Sequence, residues 1–111
     1  MKKFMAFYVA PISAIAQLAK STPAQRKAGM EAWMAWWKKN EGAVIDLGAP
    51  LGKGKSIAVS GAKDGTGKMT GYSILQGETL GAVTKIFKDH PHLSIKGATI
   101  ELVEVMPTPG Q

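Results

Sequence analysis

Met1-Lys2-Lys3-Phe4-Met5-Ala6-Phe7-Tyr8-Val9 opens the chain, and its reading decides the fold. Successive residues of a strand point to opposite faces. Phe4 and Ala6 fall on one face and Met5 and Phe7 on the other, so the strand is apolar on both. Two lysines before an apolar run also resemble a secretory leader. The run stops at Pro11 with no small-residue cleavage site after a long apolar region, which predicts a buried first strand over residues 3–10. Residues 99–105 repeat the two-faced pattern: Ile100 and Leu102, extended by Met106, lie on one face, and Val103 and Val105 on the other.

Helical spacing between these strands predicts a layer for one face only. Ile12, Ile15, Ala16 and Ala19 predict a short helix over residues 12–19. Thr22 as cap, Pro23 at the first helical position and Gln25 completing a capping box predict a second helix, ending near Glu41 where Gly42 stops it. Val44, Ile45 and Leu47 predict a short strand, broken at Gly48-Ala49-Pro50, and Ile57-Ala58-Val59 starts another. Residues 61–67 read as a loop with its turn at Asp64-Gly65. Residues 69–75 predict a strand with Tyr72 and Ile74 on one face, and residues 78–88 a helix with Leu80, Val83, Ile86 and Phe87 inward. The economical solution is α+β: a ferredoxin-like antiparallel sheet with helices on one face. The other face then needs a cover, and a second copy of the chain, a homodimer, is the simplest one.

A chain of 111 residues suits one domain over residues 1–111, with Pro107-Thr108-Pro109-Gly110-Gln111 as a flexible tail. No stretch approaches the roughly 20 apolar residues of a membrane span. Cysteine is absent, which excludes disulfides and thiolate chemistry and suits a reducing, cytoplasmic setting. The net charge of +6 raises the question of nucleic acid. The lysines are scattered, however, and Arg26 is the single arginine, which argues against a dedicated nucleic-acid binder.

Four strings resemble chemical motifs. Ala49-Pro50-Leu51-Gly52-Lys53-Gly54-Lys55-Ser56 matches a relaxed phosphate loop, but a strand pattern follows where that chemistry needs a helix, and Pro50 removes a donor. Gly65-Thr66-Gly67-Lys68-Met69-Thr70-Gly71 misses the dinucleotide spacing and reads as turn chemistry. Asp89-His90-Pro91-His92 holds the only histidines. Three roles stand open for them: a structural stop after the helix, acid–base groups lining a pocket, or ligands of a metal for which no third ligand is adjacent. Trp33, Trp36 and Trp37 share a helical stripe with Met30 and Met34, which serves either as core and subunit interface or as the aromatic wall of a ligand pocket.

The order of several segments carries a resemblance. Gly42-Ala43-Val44-Ile45-Asp46-Leu47-Gly48-Ala49-Pro50-Leu51 comes first. Gly71-Tyr72-Ser73-Ile74-Leu75-Gln76-Gly77-Glu78-Thr79-Leu80-Gly81-Ala82-Val83 follows, then Asp89-His90-Pro91-His92-Leu93, then Ile100-Glu101-Leu102-Val103-Glu104-Val105-Met106-Pro107. Together they resemble the YCII-related (DGPF-domain) family over well more than half the chain. The resemblance implies a ferredoxin-like fold that pairs into a dimeric α–β barrel, related in fold to muconolactone isomerases and other cofactorless small-molecule enzymes. In one branch a histidine–aspartate pair has been proposed as catalytic; other members accompany extracytoplasmic-function sigma factors. Where that branch has a histidine near the start of the main helix, this chain has Gln25, which cannot act as a base.

Two functions follow. One is a cofactorless enzyme, without metal, acting on a small, mostly apolar substrate in a pocket between helices and sheet. Trp33, Trp37 and Tyr72 would wall that pocket, and His90, His92 and Asp46 would move protons. The other is a non-catalytic ligand-binding or regulatory dimer using the same pocket. The enzyme needs a carboxylate or second histidine within hydrogen-bond reach of a pocket histidine; the binding protein does not.

Overall fold

The computed structural model describes residues 1–109, so the end of the expected tail, residues 110–111, lies outside the described residues. In chain order the elements are β1 (Lys2–Val9), α1 (Ala14–Lys20), α2 (Pro23–Lys39), β2 (Val44–Asp46), β3 (Lys55–Ala58), β4 (Gly61–Asp64), β5 (Met69–Gly77), α3 (Leu80–Ile86), a 3-10 turn (Pro91–Ser94) and β6 (Thr99–Glu104). Short polar side chains start the helices by satisfying backbone N–H groups that no helical carbonyl can reach. Ser13 caps α1, and Thr79 caps α3 by accepting from Ala82 N. At α2 the Thr22 hydroxyl accepts from Gln25 N while Gln25 Oε1 accepts from Thr22 N, with Pro23 in the first turn. Asn40 closes α2 before Gly42 is reached. Because Thr79 is the cap, α3 starts two residues later than its apolar pattern suggests, and it ends at Ile86.

The fold is α+β. Four strands form one antiparallel sheet in the order β2-β5-β1-β6. The two longest strands occupy its centre, joined by the register Phe4↔Leu75, Ala6↔Ser73 and Tyr8↔Gly71. On the other side of β1 the pairs are Ala6↔Leu102, Tyr8↔Ile100 and Val9↔Thr99. This register puts Phe4, Ala6, Tyr8, Leu75 and Ser73 in one buried row. Trp36 from α2, Val83 from α3 and Phe87 capping the end of α3 pack over that row to make the core, and Trp33, Trp37, Ile86, Ile100 and Leu102 close its margins. Trp36 is thus the buried member of the tryptophan stripe, and Trp33 and Trp37 are its half-buried flanks.

The alternate row is treated differently. Met5, Phe7, Tyr72 and Ile74 are half-buried, and Val103 is 48% exposed. Gly48 lets the chain leave β2 tightly against β5. Its φ is +82°, and a Cβ there would stand 1.7 Å from the Tyr72 carbonyl oxygen.

Residues 61–67 correct the sequence expectation. Residues 61–64 are strand β4, not loop, and the reversal falls at Val59-Ser60 rather than Asp64-Gly65. Gly61, at φ +137°, supplies the backbone freedom just after the turn. The resulting β3–β4 hairpin forms a separate two-stranded sheet, where the sequence suggested further strands of the main one.

Candidate functional site

The Asp89-His90-Pro91-His92 string does more than end a helix: it builds the next turn. His90 sits in extended conformation as the cap of the 3-10 turn, Pro91 takes its first position, and His90 Nδ1 accepts from His92 N at 3.0 Å. An accepting Nδ1 leaves the imidazole proton on Nε2. That N–H is buried and has no polar partner among the described residues. It lies instead among rings: Trp33 and Trp36 stand edge-on at centroid distances of 4.4 and 4.5 Å, Tyr8 stacks at 4.9 Å, and Phe87 lies at 5.7 Å. Aromatic faces are weak acceptors for such an N–H. With the residue only 2% exposed, burial pushes the His90 imidazole down to about 4; the charge of His92 pushes the same way and that of Asp89 opposes it. His90 is therefore neutral at pH 7 and a weak base.

His92 is also buried. Its Nε2 lies 2.9 Å from the Val9 carbonyl and 3.1 Å from that of Thr99, so Nε2–H is shared between them. Val9 and Thr99 are a register pair, so the imidazole ties β1 to β6 at the end of their ladder. Both histidines reach this cluster through the element between α3 and β6, and both spend ring nitrogens on backbone groups.

Tyr8 crosses the same cluster and carries a hydroxyl into the core. It donates to Ser73 Oγ at 2.8 Å, and Ser73 donates onward to the Leu47 carbonyl at 2.6 Å. Burial pushes the Tyr8 phenol up to about 12, against the opposing hydrogen bond to Ser73, which holds it as a donor. No motif in the sequence marks Tyr8 or Ser73 as a site residue. Their signal is strand parity, which places two hydroxyls in the row of Phe4, Ala6 and Leu75.

The expected acid–base set is only partly assembled. His90 and His92 come together, but Asp46 lies exposed on β2, where Oδ1 accepts from Gly48 N at 2.9 Å in a local turn. Among the described residues no carboxylate hydrogen-bonds to either imidazole, and no three acidic or histidine side chains cluster as metal ligands do. Asp89, beside His90 in sequence, turns outward to Lys39 at 2.8 Å, and that bond holds its carboxyl below the usual range. The expected pocket wall divides in the same way. Trp33 and Trp37 pack on the core side, whereas Tyr72, in register with Phe7, belongs to the opposite row. A cleft of about 570 Å³ lies elsewhere, between Ser13 and Ile15 at α1 and the root of the β3–β4 hairpin at Leu51, Lys53, Lys55 and Thr66. Lys55 belongs to β3 and pairs with Asp64 at 2.6 Å, an arrangement unlike a phosphate loop. Gln25 is occupied as half of the α2 capping box.

No family model and no curated protein matches the chain. No helix among the described residues is long and apolar enough to cross a membrane.

Proposed function

We propose that the chain is a homodimeric ligand-binding protein of the ferredoxin-like, α–β barrel type, in which the histidines brace the fold instead of moving protons. The observation that carries the reading is the apolar row Met5, Phe7, Tyr72 and Ile74, half-buried and edged by exposed Val103, on the face of the sheet opposite the core. Its context is quantitative. The chain exposes 7829 Å², whereas a compact monomer of its 11.8 kDa exposes about 5,900 Å². Its radius of gyration is 15.4 Å, against about 13 Å for a compact domain of this length. Both excesses suit a subunit whose second layer is another subunit.

The strand order β2-β5-β1-β6, with helices crossing between β1 and β2 and between β5 and β6, supports the ferredoxin-like description. The YCII-related resemblance implies the same pairing. Two copies packed sheet to sheet enclose a space lined by Phe7 and Tyr72, suited to a small, mostly apolar ligand. Lack of cysteine suits the cytoplasm as the compartment.

The test is Phe7→Glu. A carboxylate in the centre of the row abolishes pairing while leaving the buried row intact. Sedimentation velocity should show monomeric variant with unchanged far-ultraviolet circular dichroism. A Phe7→Glu protein that sediments as wild type would overturn the sheet-to-sheet reading.

A further inference from the structure

The β3–β4 hairpin has the composition of an interface, and among the described residues its two strands pair only with each other. Every residue of its two strands is exposed. Ile57 is 81% exposed, and Val59 at the tip is fully so. Ile57 and Ala62 face each other across the ladder, bordered at the root by the Lys55–Asp64 ion pair. A two-stranded hairpin without a third strand or a covering helix is at best marginally stable in water. Four consecutive residues, Ser56-Ile57-Ala58-Val59, carry no charge in the segment most open to solvent.

Area points to a second copy of this chain as the cover. Four strands spaced about 4.8 Å apart and paired over about six residues give the open face a footprint of roughly 400 Å². A stable interface takes about 800 Å² from each partner. The sheet alone is therefore about half an interface, and the hairpin is the other exposed apolar sheet structure in the fold. Asp46 and Glu101, in register with Ile74 and Phe7, give the open face two carboxylates, and neither has an ion-pair partner among the described residues. On the hairpin, Lys63 pairs with Ser56 and so lies on the face opposite Ile57 and Ala62.

We propose that β3–β4 is an arm that packs on the second subunit, seating Ile57 and Val59 against the margin of the partner's open sheet face. Two-fold symmetry makes the exchange reciprocal, so each subunit both gives and receives an arm. The inference rests on the homodimer reading and adds to it the element that completes the interface.

Two measurements on the full-length protein test it. Hydrogen exchange of the residue 55–64 amides, followed from nanomolar to high micromolar protein, should slow at least ten-fold as the dimer forms. The double variant Ile57→Asp, Val59→Asp should weaken dimerisation at least ten-fold by sedimentation equilibrium while its core amides stay protected. A dimer broken by Phe7→Glu, but with arm amides unprotected at every concentration and unaffected by the double variant, overturns the arm and leaves the sheet-to-sheet dimer standing. A wild-type monomer overturns both.

Discussion

Acidification should destabilise the protein through His90, and the size of the effect follows from its surroundings. The imidazole is enclosed by Tyr8, Trp33, Trp36 and Phe87, and its value falls from 6.5 to about 4 because the charged form loses water. Above pH 6.5 the ring is neutral both folded and unfolded and contributes no pH dependence. Between pH 6.5 and 4 the unfolded chain takes up the proton and the folded one does not, so stability falls as pH falls. The loss reaches about 2.5 kcal/mol at pH 4.5, about 3 kcal/mol at pH 4, and levels at about 3.4 kcal/mol below that. That is a large part of the 5–15 kcal/mol typical of a domain. His90→Phe keeps a ring in the box and removes the proton site; it also loses the bond from His92 N, about 1 kcal/mol independent of pH. Urea denaturation of both proteins at equal concentration from pH 7.5 to 4.5 is the assay. The wild type should lose about 2.5 kcal/mol more than the variant across that range. Equal losses would refute a neutral, enclosed His90.

Trp36→Ala should cost about 3–5 kcal/mol and Trp33→Ala clearly less, since Trp36 is buried and its Nε1 donates to the Ile86 carbonyl at 2.8 Å; equal losses in denaturant midpoints would show the stripe to be turned otherwise. Ser73→Ala should cost about 1–3 kcal/mol by leaving the Tyr8 hydroxyl and Leu47 carbonyl unpaired, whereas Tyr8→Phe made with it should recover part of that loss; strict additivity in the double-mutant cycle would contradict the relay. Calorimetric titration with ATP should show no stoichiometric binding that Lys55→Ala removes, because Lys55 is a strand residue held by Asp64.

What the sequence discloses here is mostly parity. Phe4 and Ala6 against Met5 and Phe7 announce a sheet with two apolar faces, and the register places those residues in opposite rows. Thr22, Pro23 and Gln25 announce the start of α2 because capping is local chemistry. The hairpin turn was not legible in the same way. Asp64-Gly65 is an acceptable turn signal, and only ladder pairing from Lys55↔Asp64 to Ala58↔Gly61 moves the reversal to Val59-Ser60. The site failed for a related reason. That His90 and His92 lie together is visible from their spacing, but whether their nitrogens face a pocket or a backbone depends on Val9, Thr99 and three aromatic rings brought from distant parts of the chain. Grouping Tyr72 with Trp33 and Trp37 ignored the face on which the strand itself places Tyr72, opposite Ser73 and Leu75.

The most direct test of the central claim is the molar mass of the wild-type protein by light scattering across about 1–100 μM. A face-to-face pair of 11.8 kDa subunits predicts a mass twice that of the chain, held through the micromolar range as interfaces of about 800 Å² per partner commonly allow. A single-chain mass at every concentration would contradict it.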